Sequence, residues 1–255
     1  MRKQRAPGER VIEPADYTTK ELSPQTWPDF ERLFSQGGGW DFCACMLTQR
    51  GCHLSEREYP SRAERGTRNL QEKQQLVEQG HAHGILVYTG EEPIGWCQYG
   101  PVDELPIPGL ADPTRRNLLR AHDPSSQWRI PCFVTHKKHR GRGVASTALA
   151  AALESIRRQG GGWIEATPIA MAHQHFDQRA RQLRQTYGPR SPQLVDYLDQ
   201  RPWPETDIQG IGPVKAARGT FGNVSTVGTV SMFEREGFTA VKLIADTHVL
   251  MRRHL

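Results

Sequence analysis

The sequence predicts a single α/β domain on a mixed, mostly antiparallel sheet, and two runs of residues carry that reading. Residues 84–89 and 94–99 are apolar, β-branched and aromatic, and the tight turn Gly90-Glu91-Glu92-Pro93 separates them. That pattern is a β-hairpin. Residues 127–135 and 163–169 are also strand-like, but a glycine-bearing turn and a helical segment, 143–158, lie between them. Strand, turn, helix and strand in a row make a βαβ unit with parallel strands.

The remaining elements follow in order. Residues 17–22 read as a first strand. A helix is expected over 28–35, with Thr26 or Trp27 as its cap and Pro28 in its first turn. Trp27, Phe30, Leu33 and Phe34 recur at helical spacing, which marks a core face. A polar helix is expected over 61–79 and a short one over 115–121, after a proline-rich loop. The stripe Ala145, Leu149, Ala152, Leu153 and Ile156 turns the 143–158 helix toward the core, and Gly160-Gly161-Gly162 ends it. Residues 170–218 interrupt the pattern. Rich in Gln, Arg and Pro, they read as an insertion with helices at 172–187 and 192–199. A helix over 225–236 and strands over 239–244 and 247–252 close the domain.

Composition narrows the functional classes. The net charge of +5 comes from 33 basic and 28 acidic side chains mixed along the chain. No nucleic-acid recognition module is visible, and a nucleotide-like polyanion explains the modest excess equally well. No apolar run is long enough for a membrane helix. The five cysteines, without a secretory signal, are expected to be reduced thiols in the cytoplasm. Cys43, Cys45, Cys52 and His53 have poor spacing for zinc, so no metal is expected.

The chemistry concentrates in His139-Arg140-Gly141-Arg142-Gly143-Val144-Ala145, between a strand and a helix. Glycines let the backbone approach an anion, and the helix start adds its positive end. A Gly-x-Gly turn alone would be an ordinary entry into a helix. Here Arg140-x-x-Gly143-x-Ala145 resembles the acetyl-CoA motif of the GCN5-related N-acetyltransferases. Gly95-Trp96-Cys97-Gln98-Tyr99-Gly100, Glu165-Ala166-Thr167-Pro168 and Ser231-Met232-Phe233-Glu234-Arg235-Glu236-Gly237-Phe238 are similar to further segments of that family, in the same order.

The resemblance implies one acetyltransferase-like domain over 1–255, with its core at about 14–170 and 220–255 and the insertion at about 170–218. It implies a parallel strand pair that splays to admit coenzyme A. Acetyl-CoA would be the co-substrate, held by Phe133, Val134, Thr135, Arg140, Gly141, Arg142, Gly143, Val144, Ala145 and Ser146. An amine on a small molecule or a protein would accept the acetyl group by direct attack. Glu165 is the first candidate for general base and His136 the second; each has a plain alternative, as an Arg-paired strand carboxylate and a solvated loop residue. Many family members carry a tyrosine acid where this chain has Phe233. That departure supports a rival reading, a catalytically silent acyl-CoA-binding or regulatory module. The insertion is expected to dock on the domain, either as a surface elaboration with no part in catalysis or as a cover over the acceptor site, in one arrangement across a homodimer. No nucleic-acid or membrane partner is expected.

Overall fold

The computed structural model describes residues 16–36, 40–52, 54–55, 57–107, 117, 122–171, 178–188, 191–217 and 226–255. Strands β1 (Tyr17–Glu21), β2 (Gly84–Thr89), β3 (Glu92–Pro101), β4 (Trp128–Thr135), β5 (Trp163–Ala166), β8 (Thr239–Ala245) and β9 (His248–His254) form one seven-stranded sheet. Its order is β1-β2-β3-β4-β5-β9-β8. Every described pairing in it is antiparallel except β4 with β5. The separate hairpin β6 (Glu205–Ile208) and β7 (Gly212–Lys215) lies within 170–218, the segment expected to be an insertion.

Alternation along β2 divides the core between the two faces. Ile85 and Val87 join the cluster under helix α4 (Val144–Arg158), with Ala148, Leu149 and Leu153. Leu86 and Tyr88 join the opposite cluster, with Phe30, Leu33 and Phe34 of α1 (Trp27–Ser35) and with Trp96. Helix α3 (Arg62–Glu78) starts with a full capping box between Ser61 and Glu64, which explains how so polar a segment has a defined start. Gly95 of β3 lets α4 sit close to the sheet, since a Cβ there would lie 2.3 Å from Val144 Cγ1.

The parallel pair is short, and a local irregularity in β4 explains why. Trp128, Arg129 and Ile130 pair with Ile164, Glu165 and Ala166, and there the ladder stops. On the other side of β4, Gln98 faces Cys132 and Gly100 faces Arg129. Ile130 and Pro131 thus oppose Tyr99 alone, which is a bulge that bends the strand. Pro131 also has no N–H to give to a neighbour. β4 diverges from β5 beyond this point and runs on to Thr135, opening a cleft.

Several elements differ from the sequence expectation. The strand expected over 163–169 ends at Ala166, and Ile169 makes only isolated bridges to Thr229 and His248. The last helix, expected over 225–236, is α7 (Val230–Arg235), capped by the Thr229 side chain. The short helix α2 (Met46–Arg50) and the β6–β7 hairpin carried no clear local signal. Within 170–218, α5 (Gln178–Tyr187) and α6 (Pro192–Asp199) form a small core of their own around Ala180, Leu183 and Leu194. The hairpin instead contributes Ile208 and Val214 to the main core. The helix expected at 115–121 and residues 172–177 of the helix expected at 172–187 fall outside the described residues, apart from Asn117. No helix of the described residues is long and apolar enough to cross a membrane.

Candidate active site

The turn between β4 and α4 directs backbone amides to one place. A short 3-10 turn, Lys137–His139, takes up the residues after Thr135. Gly141 and Gly143 then adopt φ of +71° and +85°, the region that glycine enters without strain. Gly143 is the N-cap of α4 and no side chain caps that helix. Its first-turn amides therefore have no intrahelical acceptor and bring the positive end of the helix dipole to one place.

A groove of about 530 Å3 runs over this turn. Phe133, Val134 and Thr135 line one side of it, and Arg140, Gly141, Gly143, Val144, Ala145 and Ser146 line the turn and helix start. Of the residues that the sequence assigned to coenzyme A, Arg142 alone is not in the lining; its side chain is exposed. One backbone group of β4 is already engaged, because the Phe133 N–H donates to the Thr226 carbonyl at 2.5 Å.

A second cavity, of about 430 Å3, lies in the splay of β4 and β5. Its wall is mainly aromatic and aliphatic, with Phe34, Phe42, Leu47, Ile107 and Ile130 among the residues that face it. The two cavities share Trp40, Val134 and Thr226. Trp40 is 8% exposed, its indole Nε1 has no hydrogen-bond partner, and the Arg140 guanidinium lies 5.3 Å from its ring.

At the base of the second cavity sits Glu165, 1% exposed. Arg129 lies directly across the parallel register, and its Nε and Nη2 donate to Glu165 Oε1 at 2.7 and 2.5 Å. Arg129 also donates to the Leu105 carbonyl. Glu165 Oε2 meets His122 Nδ1 at 2.8 Å. Both oxygens of the first candidate base are thus held, and taking an amine proton would cost those bonds.

His136, the second candidate, lines neither cavity. Burial first, and then the cations of its own turn, hold its imidazole below the ordinary range. The structure therefore does not bring Glu165 and His136 together. Sequence reasoning missed His248, the one imidazole in the lining of the second cavity among the described residues. Its position at the start of β9 shows only once β9 is placed beside β5.

No tyrosine hydroxyl lines the groove among the described residues. Phe233 is fully buried and packs edge-on against Phe133 and Phe238. Tyr99 is buried with its hydroxyl 2.6 Å from Ser155 Oγ, and burial pushes its pKa up to about 12. Among the described residues no group of three His, Cys, Asp or Glu side chains is arranged to hold a metal; His53 lies outside them.

The family model for the acetyltransferase (GNAT) family matches residues 48–179, just over half of the chain. The chain belongs to the GNAT acetyltransferase family. Members of this family use acetyl-CoA, and the mixed sheet with its one parallel pair is the family's fold. No curated protein matches the sequence.

Among solved structures, the GNAT chain is similar to an acetyltransferase from Thermus thermophilus (13% identity, 94% of this chain and 97% of that one, TM-score 0.38). It is also similar to the PaiA N-acetyltransferase from Thermoplasma acidophilum in complex with coenzyme A (8%, 94% and 99%, 0.42). A third is the GNAT domain of S. lividans PAT (12%, 93% and 89%, 0.40).

Proposed function

We propose that the protein transfers an acetyl group from acetyl-CoA to a primary amine by direct attack of the amine on the thioester. The observation that carries this reading is the meeting of two cavities at Trp40, Val134 and Thr226. In it, the pyrophosphate lies on the glycine turn between Arg140 and Ser146, and the thioester lies where the cavities join. The amine enters through the second cavity, whose apolar wall fits an acceptor with a largely apolar body. The unpartnered indole N–H of Trp40 is a buried donor that a ligand oxygen would satisfy. The site mainly supplies proximity and a dry environment.

We assign the proton from the amine to His248, directly or through one water, and assign Glu165 to holding Arg129 and His122 in place. His248→Gln should then lower kcat about a hundredfold, the low end of what a general base supplies, with KM for acetyl-CoA little changed. The assay is turnover of acetyl-CoA over a panel of amines, with a pH–rate profile for both proteins. Equal kcat across the pH range would remove His248 from the mechanism. The buried Phe233 favours one rival, a silent acyl-CoA-binding module; absence of turnover with every amine, alongside tight coenzyme A binding, would select it.

We further propose one domain over 1–255, with the core at about 14–170 and 220–255 and the insertion at about 170–218. All seven strands of the main sheet come from that core. Among the described residues, none of 178–217 lines either cavity, so the α5–α6 helices are not the acceptor's cover; Thr226 and Val227, just beyond, do line the second cavity. Five unbridged cysteines fit a reducing compartment, and we place the protein in the cytoplasm on that ground.

A further inference from the structure

Three thiols gather in the lining of the acceptor cavity, and the acetyl-transfer mechanism uses none of them. Cys43, Cys45 and Cys132 all face that cavity. Cys45 and Cys132 come from segments 87 residues apart, and the Cys45 thiol donates to Cys132 Sγ at 3.1 Å. A disulfide needs about 2.05 Å, so the sulfurs are within roughly 1 Å of bonding distance.

Two further features single out this pair. Ala44 and Cys45 are the only non-glycine residues with positive φ among the described residues, at +43° and +46°. Such backbone is strained for a residue with a side chain, and surrounding structure must impose it. Here it sets the Cys45 side chain against β4. The second feature is Lys73, a side chain 1% exposed. Burial lowers its pKa to about 8, while Cys45, Cys43 and Cys132 raise it. Its ammonium donates to Gln49 Oε1 at 2.8 Å, and Gln98 Nε2 donates to the same oxygen at 3.1 Å. The Lys73 charge opposes protonation of Cys43 and Cys45, but their hydrogen bonds and burial outweigh it and hold both thiols well above the ordinary range.

We propose that Cys45 and Cys132 are a redox dithiol that reduces a hydroperoxide and closes as a disulfide across the wall of the acceptor cavity. Cys132 is the more accessible of the two and reacts first. Its thiolate attacks a hydroperoxide oxygen, the O–O bond breaks, and the departing alkoxide takes up the thiol proton to become an alcohol. The product on the protein is a Cys132 sulfenic acid.

Cys45 then loses its proton and attacks the sulfenic sulfur; the S–O bond breaks and hydroxide leaves, taking that proton as water. Two thiols lose two electrons in all, and the hydroperoxide becomes one alcohol and one water. The hydrogen bond to Cys132 and burial hold the Cys45 thiol protonated well above the ordinary range, which suits the resolving partner more than the attacking one. The bond would tie the 40–50 segment to β4, two walls of the same cavity.

Calling that cavity the acceptor site rests on the acetyltransferase reading; the sulfur chemistry does not, and its test uses no turnover. Reduced full-length protein is treated with hydrogen peroxide, free thiols are alkylated, and the digest is mapped by mass. A Cys45–Cys132 cross-linked peptide that dithiothreitol reverses is the expected result. In Cys45→Ala, confirmed folded by circular dichroism, dimedone should label Cys132 and no cross-link should form. If that variant fails to fold, the wild-type map decides alone. A cross-link between Cys43 and Cys45 instead, or Cys132 fully alkylated after peroxide, would overturn the assignment.

Discussion

Gly143→Asp should weaken coenzyme A binding by at least about a hundredfold and leave the protein folded. Gly143 has φ of +85°, and a Cβ built there meets no atom within 4 Å. Space is therefore available, and a left-handed non-glycine residue costs only roughly 1–2 kcal/mol. Aspartate tolerates that region better than most residues do. The charge is what matters. A carboxylate about 4 Å from a phosphate oxygen opposes it by roughly 4 kcal/mol at the effective dielectric of a protein surface. That repulsion falls where the helix start would otherwise favour an anion. Calorimetric titration measures the affinity, and circular dichroism checks the fold. Gly143→Ala carries the strain without the charge and should lose much less. Equal losses in the two variants would mean that backbone shape, and not charge, sets binding at this turn.

Arg129→Leu should be the most destabilising single change in the site. Arg129 is 7% exposed and Glu165 is 1% exposed, and the two pair directly. Removing one partner of a buried ion pair strands the other charge, at a cost of about 3–5 kcal/mol. For a chain of this length that corresponds to a fall in melting midpoint of roughly 10 °C. The double variant Arg129→Leu with Glu165→Met removes both charges and should recover most of the loss. Chemical denaturation of the three proteins gives the comparison. A single variant as stable as wild type would show that the pair is not a structural unit.

Local features were legible in the sequence where neighbouring residues determine them. The 84–99 hairpin follows from alternation and a turn, and the glycine turn into α4 follows from two positions that must take positive φ. The capping box of α3 is written in Ser61 and Glu64. What the sequence hid depends on register between distant segments. Glu165 was visible as a strand carboxylate, but its partner Arg129 lies 36 residues away and is matched to it only by the parallel pairing.

His248 and Trp40 reach the cavities by the same kind of long-range placement, and neither sits in a motif. One signal was present and easily passed over: Pro131 within a strand. A residue that cannot donate to a ladder marks a bulge or an edge, and here it marks where β4 leaves β5. The final helix starts at Val230 and not at 225, because Gly228 takes a φ of +77° and Thr229 supplies the cap; the run Ser225-Thr226-Val227-Gly228-Thr229, poor in helix formers, already carried that signal.

A crystal structure with coenzyme A bound tests the central claim most directly. The pyrophosphate should lie against the backbone amides of residues 141–146, with the pantetheine along β4. Its sulfur should lie at the junction of Trp40, Val134 and Thr226. Coenzyme A bound with its phosphates away from Gly141 and Gly143, or with its sulfur pointing out of the β4–β5 cleft, would contradict it.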